Sequence, residues 1–353
     1  MKKTMKTAVM VGPGSIELGE RDVPSIRPDQ VLVKVEYAGI CGSDIHIFQE
    51  DWGKRVTKPF VLGHECAGTV VETGSAVTGL KLGDRVALEP GWVCGKCSHC
   101  RSGRYNLCRN AAWLGAPLTP PVDGVFLEYV AHGADMCFKL PSAVSLLEGA
   151  LIEPLAVGFH AARIAGAGPG RTAMVIGAGC IGLMAVNALR TFGVSRICIV
   201  DVLANRLERA LSAGATYAIN SGDQDATQAV LDLTEGHGCD IVVDTSGNSA
   251  ALTQAVDYLD KGGTLVLVGY SPSGTMTLPS KVAINKEIAF KTVFRYCGVF
   301  PLAIEAVASG DLELKEMVTG VYPLERIQEA FETSINDKAT TVKTVIKIAA
   351  DAP

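Results

Sequence analysis

The chain has 353 residues, 48% hydrophobic and 20% charged, with a formal net charge of -5. This size suits about two domains of ordinary extent, and the composition excludes a disordered polypeptide. The mild negative charge, without a basic tract, excludes an electrostatic footprint for nucleic acid. No apolar run approaches the roughly 18 residues of a membrane span.

The charged start (Met1 to Lys6) leads into a short strand-like segment, Thr7 to Val11, and not into the apolar stretch of a signal peptide. The next residues read as mostly β. Short alternating runs at Gln30–Glu36, Asp84–Leu88 and Leu127–Ala131 are separated by Gly, Pro and Asp turn signals. From Gly149 the texture changes. The apolar stretch Gly149 to His160 predicts helix on both sides of a break at Pro154. Beyond the glycine-rich connection 166–170, strands and helices alternate. Strands are expected at Thr172–Ile176, Arg196–Asp201, Asp240–Asp244 and Gly263–Gly269, and helices at Gly182–Phe192 and Ala204–Ala213. Valine-rich strands without alternation, set between helices, mark a parallel sheet covered on both faces. Near residue 290 the alternation ends, and the tail, with a helix-like Pro301–Ser309, returns to the first domain.

Eleven cysteines are present, an odd count. Seven are scattered, mostly in apolar runs where Cys66, Cys180 and Cys198 read as core fillers. The count, the dispersion and the missing signal segment argue against a disulfide framework and lead us to expect a reducing, cytoplasmic setting.

Val175-Ile-Gly177-Ala-Gly179-Cys-Ile181-Gly182 is a G-x-G-x-x-G run. Alone it is a weak signal, but here it follows a strand and opens a helix. Gly177 permits the tight turn, Gly179 lets a pyrophosphate approach the backbone, and Gly182 allows close helix packing. Asp201 closes the next strand, about 20 residues on, where an acid binds the adenosine ribose hydroxyls and repels a 2′-phosphate. NAD is therefore expected over NADP, with Arg206 placed to cover the adenine.

Cys94, Cys97, Cys100 and Cys108 have the spacing C-x2-C-x2-C-x7-C. Four thiolates around one loop suit a closed tetrahedral zinc site. An iron–sulfur cluster can also use four cysteines, but the intervening residues are polar and nothing else points to electron transfer. His99 lies inside the lobe and is not needed in the shell.

A catalytic zinc needs about three protein ligands and one open position. Gly63-His64-Glu65 precedes a β-branched run, and on its own the pair reads equally as a turn facing solvent. Cys41 follows an earlier strand and Glu153 stands at Pro154. The pattern Gly63-His64-Glu65-x2-Gly68-x5-Gly74-x2-Val77 resembles the signature of the zinc-containing medium-chain dehydrogenase/reductase superfamily. The cysteine lobe and glycine fingerprint follow in the order that superfamily uses, so the resemblance covers essentially the whole chain. Glu153 in Leu151-Ile-Glu-Pro-Leu-Ala-Val-Gly158, the segment Val293-Phe294-Arg295-Tyr296-Cys297 and the stretch Val268-Gly269-Tyr270 are most similar to the polyol (sorbitol and xylitol) dehydrogenases.

The resemblance implies an α/β chain. A doubly wound Rossmann sheet over 156–290 is expected beside a mostly β, GroES-like catalytic domain formed by 1–155 and 291–353. It implies a catalytic zinc on Cys41, His64 and one or both of Glu65 and Glu153, and a structural zinc on the four-cysteine lobe. The zinc would act as a Lewis acid toward a secondary alcohol, which yields hydride to NAD+ and becomes a ketose. Ser43 and His46 keep the C-x-S-x-x-H spacing of the superfamily's proton relay. Val268, Gly269, Tyr270, Val293, Phe294 and Arg295 would line the nicotinamide, and Glu153, Arg295 and Tyr296 the polyol. Ile47 stands where some relatives have a substrate-contacting tyrosine. Relatives are commonly tetramers, so a homo-oligomer is expected, with neither nucleic acid nor membrane as a partner. A threonine or 2,3-butanediol dehydrogenase of the same superfamily is the nearest rival, and His46-Ile47 is shared with threonine dehydrogenases. A non-catalytic NAD-binding regulator would have no use for Cys41, Ser43, His46, His64 and Glu65.

Overall fold

The computed structural model describes residues 3–50, 59–117, 121–271 and 273–348. In chain order the strands are β1 (Thr4–Gly12), β2 (Ser15–Asp22), β3 (Gln30–Gly39), β4 (Glu65–Thr73), β5 (Arg85–Leu88), β6 (Gly91–Trp92), β7 (Ala112–Trp113), β8 (Tyr129–Gly133) and β9 (Cys137–Lys139). They continue with β10 (Thr172–Ile176), β11 (Arg196–Asp201), β12 (Tyr217–Asn220), β13 (Cys239–Asp244), β14 (Leu259–Leu267), β15 (Ala289–Thr292), β16 (Val318–Pro323) and β17 (Lys343–Lys347). The helices are α1 (Gly42–Gln49), α2 (Ser98–Arg101), α3 (Leu146–Ala165), α4 (Cys180–Thr191), α5 (Ala204–Ser212), α6 (Ala226–Leu233), α7 (Ser249–Ala255), α8 (Ser280–Lys286), α9 (Phe300–Ala308) and α10 (Ile327–Asn336). Two compact units result: Met1–Glu153 with Phe300–Pro353, and Pro154–Val299.

In the first unit, β16-β17-β3-β4-β5-β9 form one sheet, with β8 also on β3. All these pairs are antiparallel except β16 with β17. Because side chains alternate along a strand, Val31, Val33 and Val35 of β3 fall on one face and are completely buried. The Phe331 ring stands 5.0 Å from Phe48 and 5.9 Å from Phe126. Each such ring contributes roughly 1.5–3 kcal/mol by leaving water. This core fixes the two elements that matter for chemistry, the β3–α1 junction at Cys41 and the start of β4 at Glu65.

The second unit is a six-stranded, all-parallel sheet in the order β12-β11-β10-β13-β14-β15. Every residue of β10 is buried, as a central strand with helices on both faces requires. Strand order reverses between β10 and β13, and crevices that bind ligands lie at the carboxyl ends of strands at such a switch point.

Three details differ from the sequence reading. Helix α3 runs unbroken through Pro154: a proline removes one helical hydrogen bond, and here the largely buried flanks hold the helix together around that loss. Strand β14 begins at Leu259, ahead of the expected Gly263. The parallel sheet continues into β15, so residues 291–299 stay with the second unit. The short, exposed edge sequence Ala-Phe-Lys-Thr lacks the valine run that marks a buried strand.

Candidate active site and metal centres

Cys41 is the N-cap of α1 and carries extended dihedrals. Asp44, three residues on, accepts a hydrogen bond from Cys41 N at 3.0 Å through Oδ2 and one from Gly63 N at 3.1 Å through Oδ1. The same Oδ1 lies 3.5 Å from His64 Nδ1. One fully buried carboxylate therefore joins the strand end that carries Cys41 to the loop that carries His64. Outer carboxylates hold metal-binding imidazoles in this way. Burial works against a charged His64, but Asp44 and the Cys41 sulfur outweigh it and raise its pKa above the usual histidine range.

Glu65 opens β4 directly opposite Gly39. A Cβ on residue 39 would lie 2.0 Å from Glu65 Oε2, so only glycine leaves room for this carboxylate. Lys343 of β17 faces Glu65 Oε2 as an ion pair and donates to Ile40 O at 3.0 Å. Both oxygens of Glu65 are buried and, among the described residues, neither accepts a hydrogen bond; Lys343 balances the carboxylate's charge. Ligand atoms of Cys41, His64 and Glu65 lie within 4.8 Å of one another. A thiol, an imidazole and a carboxylate with unused lone pairs fit a three-ligand zinc site.

Glu153 lies outside that trio. It is buried on α3, and its charge acts on Cys66 and Glu89. Ser43 and His46 sit three residues apart on α1, on neighbouring positions of one helix face, and both are half-buried.

The sulfurs of Cys94, Cys97, Cys100 and Cys108 form the other cluster. Cys97 N donates to Cys94 Sγ and Cys94 N to Cys108 Sγ, each at 3.3 Å. Backbone N–H groups of Cys100 and Arg109 lower the Cys97 thiol to about 6, while burial and the neighbouring thiols push Cys100 up to about 12. Four cysteine sulfurs gathered around one loop fit a closed tetrahedral zinc site. His99 is outside the cluster. Tyr105, inside the lobe, donates to Glu89 Oε2 at 3.1 Å.

In the second unit, Gly177 has φ 94°, and a Cβ on Gly182 would strike Gly177 O at 1.8 Å. These are the turn and close-packing roles expected of the two glycines. Helix α4 starts at Cys180, next to Ile181, with Gly179 as its N-cap and no side-chain cap hydrogen bond there; the positive end of the helix dipole suits a phosphate. A Cβ on Gly179 would meet only Arg206 Nη1, at 3.9 Å. Asp201 Oδ2 accepts from Ala178 N at 2.7 Å, and Oδ1 accepts from Val202 N and Leu203 N. The carboxylate is thus fixed beside the glycine turn. Gly269 N and Val268 N donate to Asp244 O at the end of β13. Tyr270 and Phe294 are exposed and Arg295 is half-buried, its guanidinium 5.9 Å from the Phe294 ring centroid. Tyr296, expected to meet a substrate, is completely buried.

Residues 27–142 match the model of the alcohol dehydrogenase GroES-like domain, and residues 180–309 that of zinc-binding dehydrogenases. Sorbitol dehydrogenase of Bacillus subtilis (strain 168) is 41% identical over 346 residues, covering 98% of this chain and 97% of its own. The chain belongs to the zinc-dependent medium-chain dehydrogenases, in the polyol dehydrogenase family. It is an oxidoreductase built on a GroES-like and a Rossmann-like domain. An Escherichia coli oxidoreductase of unknown specificity, described as involved in membrane biogenesis, has a similar crystal structure. Its TM-score is 0.93 at 40% identity, and the match covers 98% of this chain and 100% of that one. A zinc-binding dehydrogenase from Sinorhizobium meliloti 1021, bound to NADP, gives a TM-score of 0.90 at 30% identity over 98% and 100% of the two chains.

Within this dehydrogenase, two charged residues of the site, Asp44 and Lys343, are not among those the sequence motifs single out. Nor is Thr245, whose hydroxyl donates to Ile176 O at 2.8 Å and Gly177 O at 3.1 Å, pinning the glycine turn. The Asp44 signal was legible as a capping acid three residues after Cys41. No local pattern marks Lys343. His132 and His160 are hydrogen-bonded outside the metal clusters: His132 Nε2 meets Glu89 O at 2.8 Å, burial lowers this histidine to about 4, and His160 Nδ1 meets Arg163 Nη2 at 3.1 Å. Among the described residues no helix is long and apolar enough to cross a membrane.

Proposed function

We propose that this dehydrogenase is an NAD-dependent polyol 2-dehydrogenase, oxidising a secondary alcohol of a sugar alcohol of the sorbitol, L-iditol or xylitol type to the ketose. The observation that carries the proposal is the Cys41–His64–Glu65 trio in a chain 41% identical to a sorbitol dehydrogenase over nearly its full length. Two zinc ions per chain are proposed, one on this trio and one on the four-cysteine lobe. A zinc on the trio supplies the Lewis acidity that makes an alcohol acidic near neutral pH. Glu65 takes the direct-ligand role and Glu153, outside the trio, acts through water.

The protein's own groups do the rest. Ser43 receives the alcohol proton and His46 passes it toward solvent. The uncapped start of α4 holds the pyrophosphate, and Asp201 holds the ribose hydroxyls and disfavours a 2′-phosphate. Val268, Gly269, Tyr270, Val293 and Phe294 would line the nicotinamide ring, which would supply the hydride acceptor when bound. Arg295 and Glu153 bind hydroxyls beside the reacting carbon, so that a polyol is preferred over a simple alcohol. A homotetramer is the proposed assembly. Initial rates for four- to six-carbon polyols, L-threonine and 2,3-butanediol, each with NAD+ and with NADP+, test the reading. A polyol with NAD+ is expected to give the highest kcat/KM, whereas preference for threonine or butanediol overturns the substrate assignment.

A further inference from the structure

The segment that follows β15 is held in an unusual backbone. Arg295 has φ 54° and Gly298 φ 59°. For an arginine this left-handed conformation is disfavoured and persists only where the surroundings impose it. Tyr296 and Cys297, between them, are buried.

The constraint comes from the end of α3. Arg163, in its last turn, donates through Nη2 to Cys297 O and through Nη1 to Gly298 O at 3.3 Å. The Nη2 group also meets His160 Nδ1 at 3.1 Å and Cys297 Sγ at 3.6 Å. A guanidinium can only donate, so His160 accepts here and its ring proton is on Nε2. One planar fork thus takes two successive carbonyls, a geometry lysine cannot reproduce. The other side of the segment is tied as well: Lys291 Nζ donates to Ile164 O at 2.6 Å, and Val293 N donates to Leu267 O at 2.9 Å. Residues 293–298 therefore form a short bridge anchored at both ends, with the strained Arg295 in the span.

We propose that Arg163 is a positioning residue that holds the Arg295 turn in its left-handed conformation and so sets the polyol-binding geometry. The inference rests on the reading of Arg295 as a polyol contact. Without the fork, Cys297 and Gly298 are released and Arg295 relaxes to an ordinary backbone, carrying its guanidinium away from the substrate hydroxyls. Arg163 itself touches no substrate.

The test compares Arg163→Ala, Arg163→Lys, Arg295→Ala and the double variant in the zinc-loaded enzyme. Arg163→Ala is expected to raise the polyol KM about tenfold, one tenfold step being about 1.4 kcal/mol of lost binding. The lysine variant should fall between Arg163→Ala and the parent, and adding Arg163→Ala to Arg295→Ala should cost nothing further. An unchanged KM in Arg163→Ala, or full additivity in the double variant, overturns the proposal. Should Arg163→Ala fail to fold, the lysine variant serves alone, and a parental KM there overturns it. Amide hydrogen exchange over residues 293–298 is an independent readout. Faster exchange confined to this segment supports the anchor even if Arg295→Ala shows the polyol assignment to be wrong, and unchanged exchange overturns the anchor even if that assignment holds.

Discussion

Lys343 and Glu65 form an ion pair with both side chains almost fully buried, and the lysine also holds Ile40 O, the carbonyl just before Cys41. A positive charge thus sits beside the carboxylate of the metal trio. Removing two charges from water is costly, and the pair persists because each side chain neutralises the other. A divalent cation held by the proposed trio would give Glu65 a second partner, and Lys343 would work against that metal.

Lys343→Met separates these effects. Metal-free protein should lose about 3–5 kcal/mol, the cost of leaving one buried charge unpaired, while zinc affinity at the trio rises because a neighbouring positive charge is gone. Urea unfolding of the metal-free protein and competition against a chromophoric chelator measure the two changes. Parallel losses in both would contradict the charge argument.

Glu89 is buried, and that desolvation raises its carboxyl to about 7, against the Tyr105 hydrogen bond and with help from the charges of Glu153 and Asp135. Its folded pKa lies above the unfolded one. The native state therefore holds the proton more tightly, and stability falls as pH rises from the ordinary carboxylate range to about 7. Glu89→Gln keeps an acceptor for Tyr105 and should abolish this slope. The variant is expected to be more stable than the parent above neutrality by roughly 2–3 kcal/mol and no more stable near pH 4, measured by denaturant unfolding across pH.

Cys97→Ser should remove the lobe's cation alone. Elemental analysis is expected to fall from about two zinc ions per chain to about one, with a lower thermal midpoint and with turnover per remaining zinc preserved at room temperature. Loss of both ions would show that the two centres are not independent.

What the sequence made legible follows from distance along the chain. The cysteine lobe and the glycine fingerprint put all their determinants within one loop or one turn, where spacing is geometry. Lys343 joins Ile40 across 303 positions, and Arg163 joins Cys297 across 134. Neither sits in a motif, so only the folded chain shows what these cations do. Pro154 misled for a different reason: a local breaking rule was overridden by the packing around a 20-residue helix. Glu65 and Glu153 stand 88 positions apart, and no local spacing says which of them shares a site with Cys41 and His64; the folded chain gathers Glu65 with those two.

Asp201→Ala tests the cofactor reading. Freeing the ribose site of its carboxylate should raise the KM for NAD+ by about tenfold to a hundredfold and narrow the preference over NADP+. A variant with the parent's NAD+ kinetics would place ribose recognition elsewhere.

The most direct test is polyol oxidation with NAD+ by the parent and by His64→Ala, with zinc counted in the same samples. The parent should carry about two zinc ions and reduce NAD+ with a polyol, while His64→Ala should keep about one, on the four-cysteine lobe, and lose turnover. Undiminished turnover in His64→Ala, or retention of both ions, would contradict a catalytic zinc on Cys41, His64 and Glu65.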